Sequence, residues 1–186
     1  MKIIGLAVLL SALVSHFGIK YEQPLATMLT EMAADWQTLD EDNYKIEYPS
    51  DWTLDRSGQM GMSFLLLSER SDSDDQFREN VNLIIQDLGG QTITLDQYVQ
   101  LSEDQIKTLI TNSNLLKSER LRSPDTDYHH VVYTGDQGTF ALQFEQHYYI
   151  VHGKAYVLTF TAEQSAVEEY QRIARQVLSS FTLKTQ

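Results

Sequence analysis

Cysteine is absent from this 186-residue sequence, and proline occurs only three times. Without a thiol, the chain cannot form a disulfide, a Cys-ligated zinc or iron–sulfur site, a thiol nucleophile or a lipid anchor on cysteine. Positive charge is also scarce, because 14 Lys and Arg stand against 26 Asp and Glu and give a formal net charge of −12. This acidity argues against binding to nucleic acid or to an anionic membrane surface, since both attract basic patches.

Long apolar runs are rare, and the clearest one lies at the N-terminus. Residues 3–14 follow Lys2 and are apolar or small, with Ser11 as the one polar side chain. This pattern is typical of a secretory signal, and the run is shorter than the about 20 apolar residues of a membrane span. We therefore expect residues 1–15 to be a signal peptide, and the mature chain to be periplasmic or secreted with no integral membrane span. An internal start such as Met28 would instead give a cytoplasmic protein.

The segment between the signal and the main domain has helical spacing. Its apolar residues recur at i, i+3, i+4, i+7 and i+11 and are Leu25, Met28, Leu29, Met32 and Trp36. The pattern predicts a helix that packs on the domain, and the lack of Lys and Arg there disfavours a helix on a membrane surface. Residues 16–42 are therefore interpreted as an N-terminal helix and linker, and residues 43–186 as a single domain, in keeping with roughly 100–200 residues per domain.

The main body alternates between strand and helix signals. Short runs of alternating or continuous apolar residues predict strands over 44–48, 52–55, 64–67, 81–86, 115–121, 129–134, 139–151 and 155–161. Capping boxes predict one helix starting at Thr94, with Gln97 as its partner, and a second starting at Ser165, with Glu168 as its partner. The predicted order is helix, four strands, helix, four strands, helix. Short connections between strands indicate a mostly antiparallel sheet with helices packed on it.

Two turns set the register of the C-terminal strands. Residues 135–138 predict a tight hairpin turn, and residues 152–154 predict a three-residue loop that places Ile150 opposite Tyr156. This register separates the apolar side chains of the hairpin from a more polar face. That polar face is formed in part by Gln143, Glu145, His147 and Tyr149.

Four motifs, in the same order along the chain, resemble PsbP-like domains. They are a strand ending in Tyr-Pro before a Trp (Tyr44–Trp52), a strand similar to F-x-x-N-V-x-V (Phe77–Leu83), a helix start similar to T-L-x-x-Y (Thr94–Tyr98) and a closing hairpin with a final Ser-Phe (Gly153–Thr161, Ser179–Phe181). The resemblance extends from Tyr44 to about Leu183. It implies a central, mostly antiparallel sheet flanked by helices, an α/β/α sandwich of the α+β type.

The same resemblance carries expectations about function. The PsbP-like superfamily includes extrinsic subunits of the photosystem II oxygen-evolving complex, a Ran-binding import factor and many bacterial envelope proteins, and none of these is an established enzyme class. Plant members dock to the photosystem through a basic N-terminal extension, whereas the corresponding region here is acidic. The resemblance therefore implies a bacterial stand-alone member, and fold alone does not fix what such a member does.

Enzyme motifs are missing from the sequence. No G-x-S-x-G motif occurs, and the glycine pairs do not have the spacing of phosphate-binding loops. We therefore expect a protein that is not an enzyme.

Histidines and carboxylates in the C-terminal strands allow a metal site. His129 and His130 are adjacent in a strand, so they point to opposite faces, whereas Glu145 and His147 share one face. One histidine of the first pair would join Glu145 and His147 if its strand were their neighbour, and three N/O ligands suit Zn²⁺ or Mn²⁺. The alternative is a hydrogen-bonded or solvated set of side chains on a polar sheet face.

A group of four acidic residues is a second candidate metal site, in this case for Ca²⁺. Asp72, Asp74, Asp75 and Glu79 are close in sequence, but they lack the spacing and the glycine of an EF-hand. A solvated loop explains them without a bound ion.

Tyrosine is unusually frequent, with ten residues. Tyrosines suit binding surfaces, and they also suit ordinary half-buried strands. The leading hypothesis is a non-enzymatic, exported domain without a cofactor that binds a protein or another envelope component. Its binding surface would be an exposed sheet edge or the polar face with Gln143, Glu145, His147 and Tyr149. The alternative is an accessory module that binds a divalent metal (Zn²⁺, Mn²⁺ or Ca²⁺) through His129 or His130, Glu145 and His147.

Overall fold

The computed structural model describes residues 35–122 and 126–184. These residues form ten strands and two α-helices. In chain order they are β1 (Trp36–Asp40), β2 (Tyr44–Pro49), β3 (Thr53–Asp55), β4 (Met62–Leu67), β5 (Asn80–Asp87), α1 (Leu95–Leu109), β6 (Thr111–Arg122), β7 (Asp127–Gln137), β8 (Phe140–Val151), β9 (Lys154–Glu163), α2 (Val167–Ser180) and β10 (Thr182–Leu183).

The strands form two sheets in which every neighbouring pair is antiparallel. The large sheet has seven strands in the order β3-β4-β5-β9-β8-β7-β6, and the small sheet has three in the order β1-β2-β10. The predicted antiparallel sheet flanked by helices is confirmed, and the fold class is α+β.

Each face of the large sheet has its own hydrophobic core. Leu158 and Phe160 of β9 point to the face covered by α2 and the small sheet, together with Tyr149 of β8. Val157 of β9 and Tyr148 of β8 point to the opposite face, where α1 packs. Alternate residues of these strands are therefore buried on both sides, as in a sheet enclosed between two layers.

One of the two predicted capping boxes is present. The backbone N–H of Gln97 donates to Thr94 Oγ1 at 3.2 Å, and the backbone N–H of Thr94 donates to Gln97 Oε1 at 2.9 Å. The second prediction is wrong, because α2 begins at Val167 after Ala166 and has no side-chain cap. The backbone N–H of Ala166 bonds to Glu163 O at 2.9 Å, so a turn of the main chain leads directly into α2 without a side-chain cap.

The predicted register of the β8–β9 hairpin is wrong by one residue. Tyr149 lies opposite Tyr156, Val151 lies opposite Lys154, and the loop has two residues, His152 and Gly153. Both loop residues have positive φ, 49° and 72°, as the commonest two-residue hairpin turn requires. Because both faces of the hairpin are buried, a division into apolar and polar sides does not determine its register.

The preceding hairpin turn is also shifted. β7 continues through Gly135 to Gln137, and the turn is formed by Gly138 and Thr139. Gly138 adopts a positive φ of 61°, which a residue without a Cβ accepts most easily. The change lengthens the β7–β8 ladder to Gln137 opposite Phe140.

The N-terminal region contains a strand where the sequence predicts helix and linker. Trp36 begins β1, and Leu39 lies opposite Ile46 of β2. Pairing along β2 and burial of Leu39 against the core outweigh the helical spacing of the apolar residues. Five strands therefore precede α1, four lie between the helices, and β10 completes the small sheet after α2.

Two predictions concern residues beyond the described ranges. The signal peptide at residues 1–15 and the helical stripe from Leu25 to Met32 both lie outside them. Within residues 35–122 and 126–184, neither α-helix combines the length and the apolar character that crossing a bilayer demands.

Candidate functional site

Three potential metal ligands converge on the α2-facing side of the large sheet. His130 of β7 lies directly opposite His147 of β8, and Glu145 precedes His147 by two residues on the same face. One ligand atom from each of these residues lies within 4.8 Å of the others. Glu145 Oε1 is 2.9 Å from His130 Nε2 and 3.9 Å from His147 Nε2. We call these three residues the His–Glu–His cluster.

The adjacent histidine lies on the other side of the sheet. His129 Nε2 is 2.8 Å from Ser118 Oγ, and the Ser118 hydroxyl donates to Glu103 of α1 at 2.6 Å. Burial lowers the pKa of His129. The structure therefore brings His130 to Glu145 and His147 and leaves His129 out.

The cluster is largely shielded from water. His130 and His147 are 9% and 7% exposed. Their ring atoms His130 Nε2 and His147 Nδ1 are buried and have no partner with hydrogen-bond geometry. The 2.9 Å contact of His130 with Glu145 is thus an ion-pair distance without the alignment of a hydrogen bond. Buried polar atoms without partners are costly, and a bound ligand is one way to satisfy them.

The ionisation of the cluster suits a metal. Burial, reinforced by the charge of His130, lowers the pKa of His147 to about 4, so this imidazole is neutral near pH 7 with a free lone pair. Burial alone would raise the pKa of Glu145, but His130, with a smaller effect of Arg175, holds it below its usual range. At neutral pH the cluster therefore presents an ionised carboxylate beside a neutral imidazole, the forms that metal ligation requires.

A second carboxylate lies behind the cluster. Glu119 Oε1 of β6 is 3.6 Å from His130 Nδ1 and 2.7 Å from Lys117 Nζ. The hydrogen bond from Lys117 lowers the pKa of Glu119 and keeps it ionised. A carboxylate that accepts the second ring N–H of a histidine orients the ring toward a metal, and Glu119 would have to approach His130 by about 0.5 Å to do so.

The donor set fits a transition-metal ion. Two imidazoles and one carboxylate suit Zn²⁺ or Mn²⁺ and leave at least one coordination position open. Ligand atoms in a tetrahedral site with bonds of about 2.1 Å lie roughly 3.4 Å apart. To hold an ion, the cluster would close its widest separation of up to 4.8 Å by about 1.4 Å and open the 2.9 Å separation of Glu145 Oε1 and His130 Nε2 by about 0.5 Å.

An aromatic cleft adjoins the cluster and shares His147 with it. Its volume is about 150 Å³, and its walls include the rings of Tyr128, His147, Tyr149 and Phe181. The Tyr128 and Tyr149 rings stack at a centroid distance of 5.3 Å, and the Tyr128 ring lies 4.8 Å from the His147 ring. Further lining comes from Thr126, Leu178, Ser179, Thr182 and Leu183.

The structure changes the surroundings of the predicted polar face. Tyr149 is only 6% exposed and contacts the Phe181 ring at 5.4 Å, so it lies inside the cleft and not on an open surface. Gln143 shares this face but is paired with Thr134 and Ala162, on the far side of Glu145 from the cleft. The role of these residues in binding stays a prediction.

The acidic loop does not assemble a second site. Asp72 Oδ1 accepts the backbone N–H groups of Asp74 and Asp75, and Asp75 Oδ1 accepts that of Phe77. Glu79 is buried, with Ser68 Oγ 3.5 Å from its carboxylate. Among the residues with described positions, the His–Glu–His cluster is the one group that meets the distance requirement for a metal.

Sequence reasoning missed Glu119 and Phe181 as parts of this site. The alternation of Lys117 and Glu119 placed them on one face of their strand, but only the β6–β7 register shows that Glu119 lies opposite His130. Phe181 follows the end of α2 and enters the cleft through tertiary packing, for which the sequence carries no local signal.

Comparisons with known proteins identify the fold. No protein-family model and no curated protein matches the sequence. The solved structure of CyanoP, the cyanobacterial PsbP of Synechocystis, matches with a TM-score of 0.61 at 16% identity and covers 83% of this chain and 96% of that chain.

Two further bacterial structures are similar. A Pseudomonas aeruginosa protein of unknown function matches with a TM-score of 0.58 at 11% identity, over 81% of this chain and 99% of that one. LpqN of Mycobacterium tuberculosis, which is involved in cell envelope biogenesis, matches with a TM-score of 0.57 at 10% identity, over 88% and 98%. The sheet order, the two covering helices and these likenesses together show that the chain has the PsbP-like fold.

Proposed function

We propose that the protein is an exported, non-enzymatic accessory domain that binds a divalent transition-metal ion and serves a protein or another component of the cell envelope. The convergence of His130, Glu145 and His147 within 4.8 Å carries the metal assignment. Similarity of fold to CyanoP and to LpqN, an envelope-biogenesis protein, supports the accessory role and the export. The N-terminal signal pattern supports export independently.

The donor atoms favour zinc or manganese over calcium. Calcium takes six to eight oxygen ligands, whereas two of the three donors here are imidazole nitrogens. The neutral state of His147 near pH 7 lets the ion bind without first removing a proton from that ring. The open coordination position allows exchange of the ion or binding of a further ligand.

A thermal-stability titration tests the metal assignment. Protein stripped with a chelator is titrated with Zn²⁺, Mn²⁺ or Ca²⁺ while Tm is followed. An ion at 100 times its Kd stabilises the folded state by about 2.7 kcal/mol, which corresponds to a rise in Tm of roughly 5–10 °C for a chain of this size. We expect this rise with Zn²⁺ or Mn²⁺ and none with Ca²⁺.

Matched variants localise the effect. Glu145→Gln and His147→Ala should abolish the rise in Tm, because each removes one of three ligands. His129→Ala is the control, since it removes the neighbouring histidine on the opposite face. A titration without any shift at millimolar metal, or an equal loss of the shift in His129→Ala, would contradict the proposed site.

A further inference from the structure

His147 is common to the His–Glu–His cluster and the aromatic cleft. Its ring centroid lies 5.0 Å from that of His130 in the cluster and 4.8 Å from that of Tyr128 in the wall of the cleft. Its Nε2 atom is 3.9 Å from the carboxylate of Glu145. An ion held by the cluster is therefore separated from the cleft by one imidazole ring, so its charge acts on any molecule in the cleft.

The size of the cleft limits its occupant. A volume of about 150 Å³ equals that of an engineered protein cavity that binds benzene. Rings of Tyr128, Tyr149 and Phe181 form the walls and favour a flat aromatic ring, because offset and edge contacts between rings are attractive. The exposed side chains of Ser179 and Thr182 leave one side polar and open to solvent.

The charge around the cleft depends on the metal. Among the described residues that line the cleft, none is Asp, Glu, Lys or Arg. The carboxylates of Glu119 and Glu145 both act on Tyr128 in the cleft wall, and Arg175 offsets part of the charge of Glu145. Loading the cluster adds two positive charges, or one if the ion displaces a proton from a histidine. The potential in the cleft therefore becomes more positive on loading, whatever the neighbouring charges are.

We propose that the aromatic cleft is a binding site for a small aryl carboxylate, and that a metal ion in the His–Glu–His cluster strengthens this binding. The ring of the ligand packs against Tyr128, Tyr149 and Phe181, and its carboxylate points toward His147 and the ion. The coupling rests on the proposed metal function, and it is reciprocal: the aryl carboxylate must tighten metal binding by the same factor.

Fluorine NMR on the full-length protein tests the proposal with 4-fluorobenzoate as the probe. Binding is measured on chelator-treated protein and on protein saturated with Zn²⁺. We expect at least about tenfold tighter binding to the loaded form, within the range usual for coupled sites. The neutral isostere 4-fluorobenzamide should bind both forms with similar affinity, because it lacks the charge that senses the ion.

Two tryptophan substitutions on exposed serines locate the probe. Ser179→Trp places a bulky ring at the mouth of the cleft, so it should abolish probe binding while the zinc-induced rise in Tm remains. Ser165→Trp is the control, because Ser165 is exposed in the turn before α2 and does not line the cleft. It should leave both probe binding and the rise in Tm unchanged.

The outcomes separate this proposal from the proposed function. If zinc raises Tm but 4-fluorobenzoate does not bind, or binds equally with and without zinc, the aryl-carboxylate site is wrong and the metal site stands. Probe binding that survives Ser179→Trp places the probe elsewhere and also overturns the proposal. If zinc does not bind at all, both proposals fail.

Discussion

At the scale of single residues, His147 combines deep burial with a polar atom that lacks a partner. Its side chain is buried and lies among a histidine, a carboxylate and two tyrosine rings. Its Nδ1 atom has no hydrogen-bond partner. Such a residue is expensive for stability, which is the usual situation of groups kept for binding.

The buried imidazole predicts a specific dependence of stability on pH. Because the pKa of His147 is about 4 in the folded protein and 6.5 unfolded, the unfolded chain binds more protons between these values. The free energy of unfolding therefore falls as pH drops from 7, by about 2 kcal/mol at pH 5 from this residue alone. We expect metal-free protein to lose about 2 kcal/mol more than His147→Gln in urea unfolding between pH 7 and pH 5.

The comparison with the variant isolates His147, since other titrating groups are common to both proteins. Equal losses in the two proteins would show that the ring is already protonated in the folded state at pH 5. In that case it would also be a poorer metal ligand at neutral pH than its burial indicates.

The two adjacent histidines of β7 show how much of the site could be predicted from the sequence. Adjacent residues in a strand point to opposite faces, so the sequence establishes that only one of His129 and His130 can join His147. It does not establish which one, because that depends on the pairing of β7 with β8, where His130 lies opposite His147. The sequence therefore predicts which residue types could form the cluster. Their convergence depends on the register of β7 against β8, which the sequence does not establish.

At the scale of elements, the two α-helices begin in different ways. Thr94 and Gln97 form a reciprocal capping box at α1, whereas Ser165 lies in a turn before α2 and caps nothing. Thr94→Ala should therefore lower the free energy of unfolding by about 1 kcal/mol. Ser165→Ala should change it by less than about 0.5 kcal/mol, as for other surface positions. Chemical denaturation of both variants measures the difference.

The pair is its own control, because both substitutions remove a hydroxyl in a similar sequence context. A similar cost at both positions would indicate that Ser165 caps α2 in solution.

The β8–β9 hairpin explains why its register could not be predicted. Residues on both sides of these strands are apolar, and each side meets a different helix, as Tyr148 and Tyr149 show. An alternating pattern identifies a register only when one face is exposed to water. The decisive signal is local: the His152–Gly153 pair fits a turn with two positive φ values.

The edge strand β6 is protected against pairing with strands of other molecules. It ends the large sheet and is exposed along most of its length. Irregular pairing between Leu115 and Lys117, together with the charges of Lys117 and Arg120, interrupts the flat row of groups that another strand could join. These features let a long edge strand remain open without indiscriminate association.

At the scale of the whole molecule, one sheet joins two hydrophobic cores. The α1 core includes Ile106, and the α2 core includes Trp52 and Leu158. β8 and β9 contribute side chains to both cores from alternate positions, so neither core can lose its packing without disturbing strands that the other requires. The sequence predicts the central antiparallel sheet and its covering helices, whereas the separate three-stranded sheet and this sharing of strands follow from the sheet topology.

Shared strands predict that the molecule unfolds as one cooperative unit. Ile106 is 1% exposed in the α1 core, so Ile106→Ala should lower the free energy of unfolding by between about 2 and 5 kcal/mol. Trp52 is 5% exposed in the α2 core and reports on the opposite face of the sheet. The tryptophan fluorescence transition in urea, to which Trp36 of β1 in the small sheet also contributes, should shift to lower concentration together with the far-UV circular dichroism, because the two cores lose their common strands at once. A tryptophan fluorescence transition that stays in place while the circular dichroism of the variant moves would mean that the α1 core opens alone. In that case the His–Glu–His cluster, on the α2 side, would persist without it.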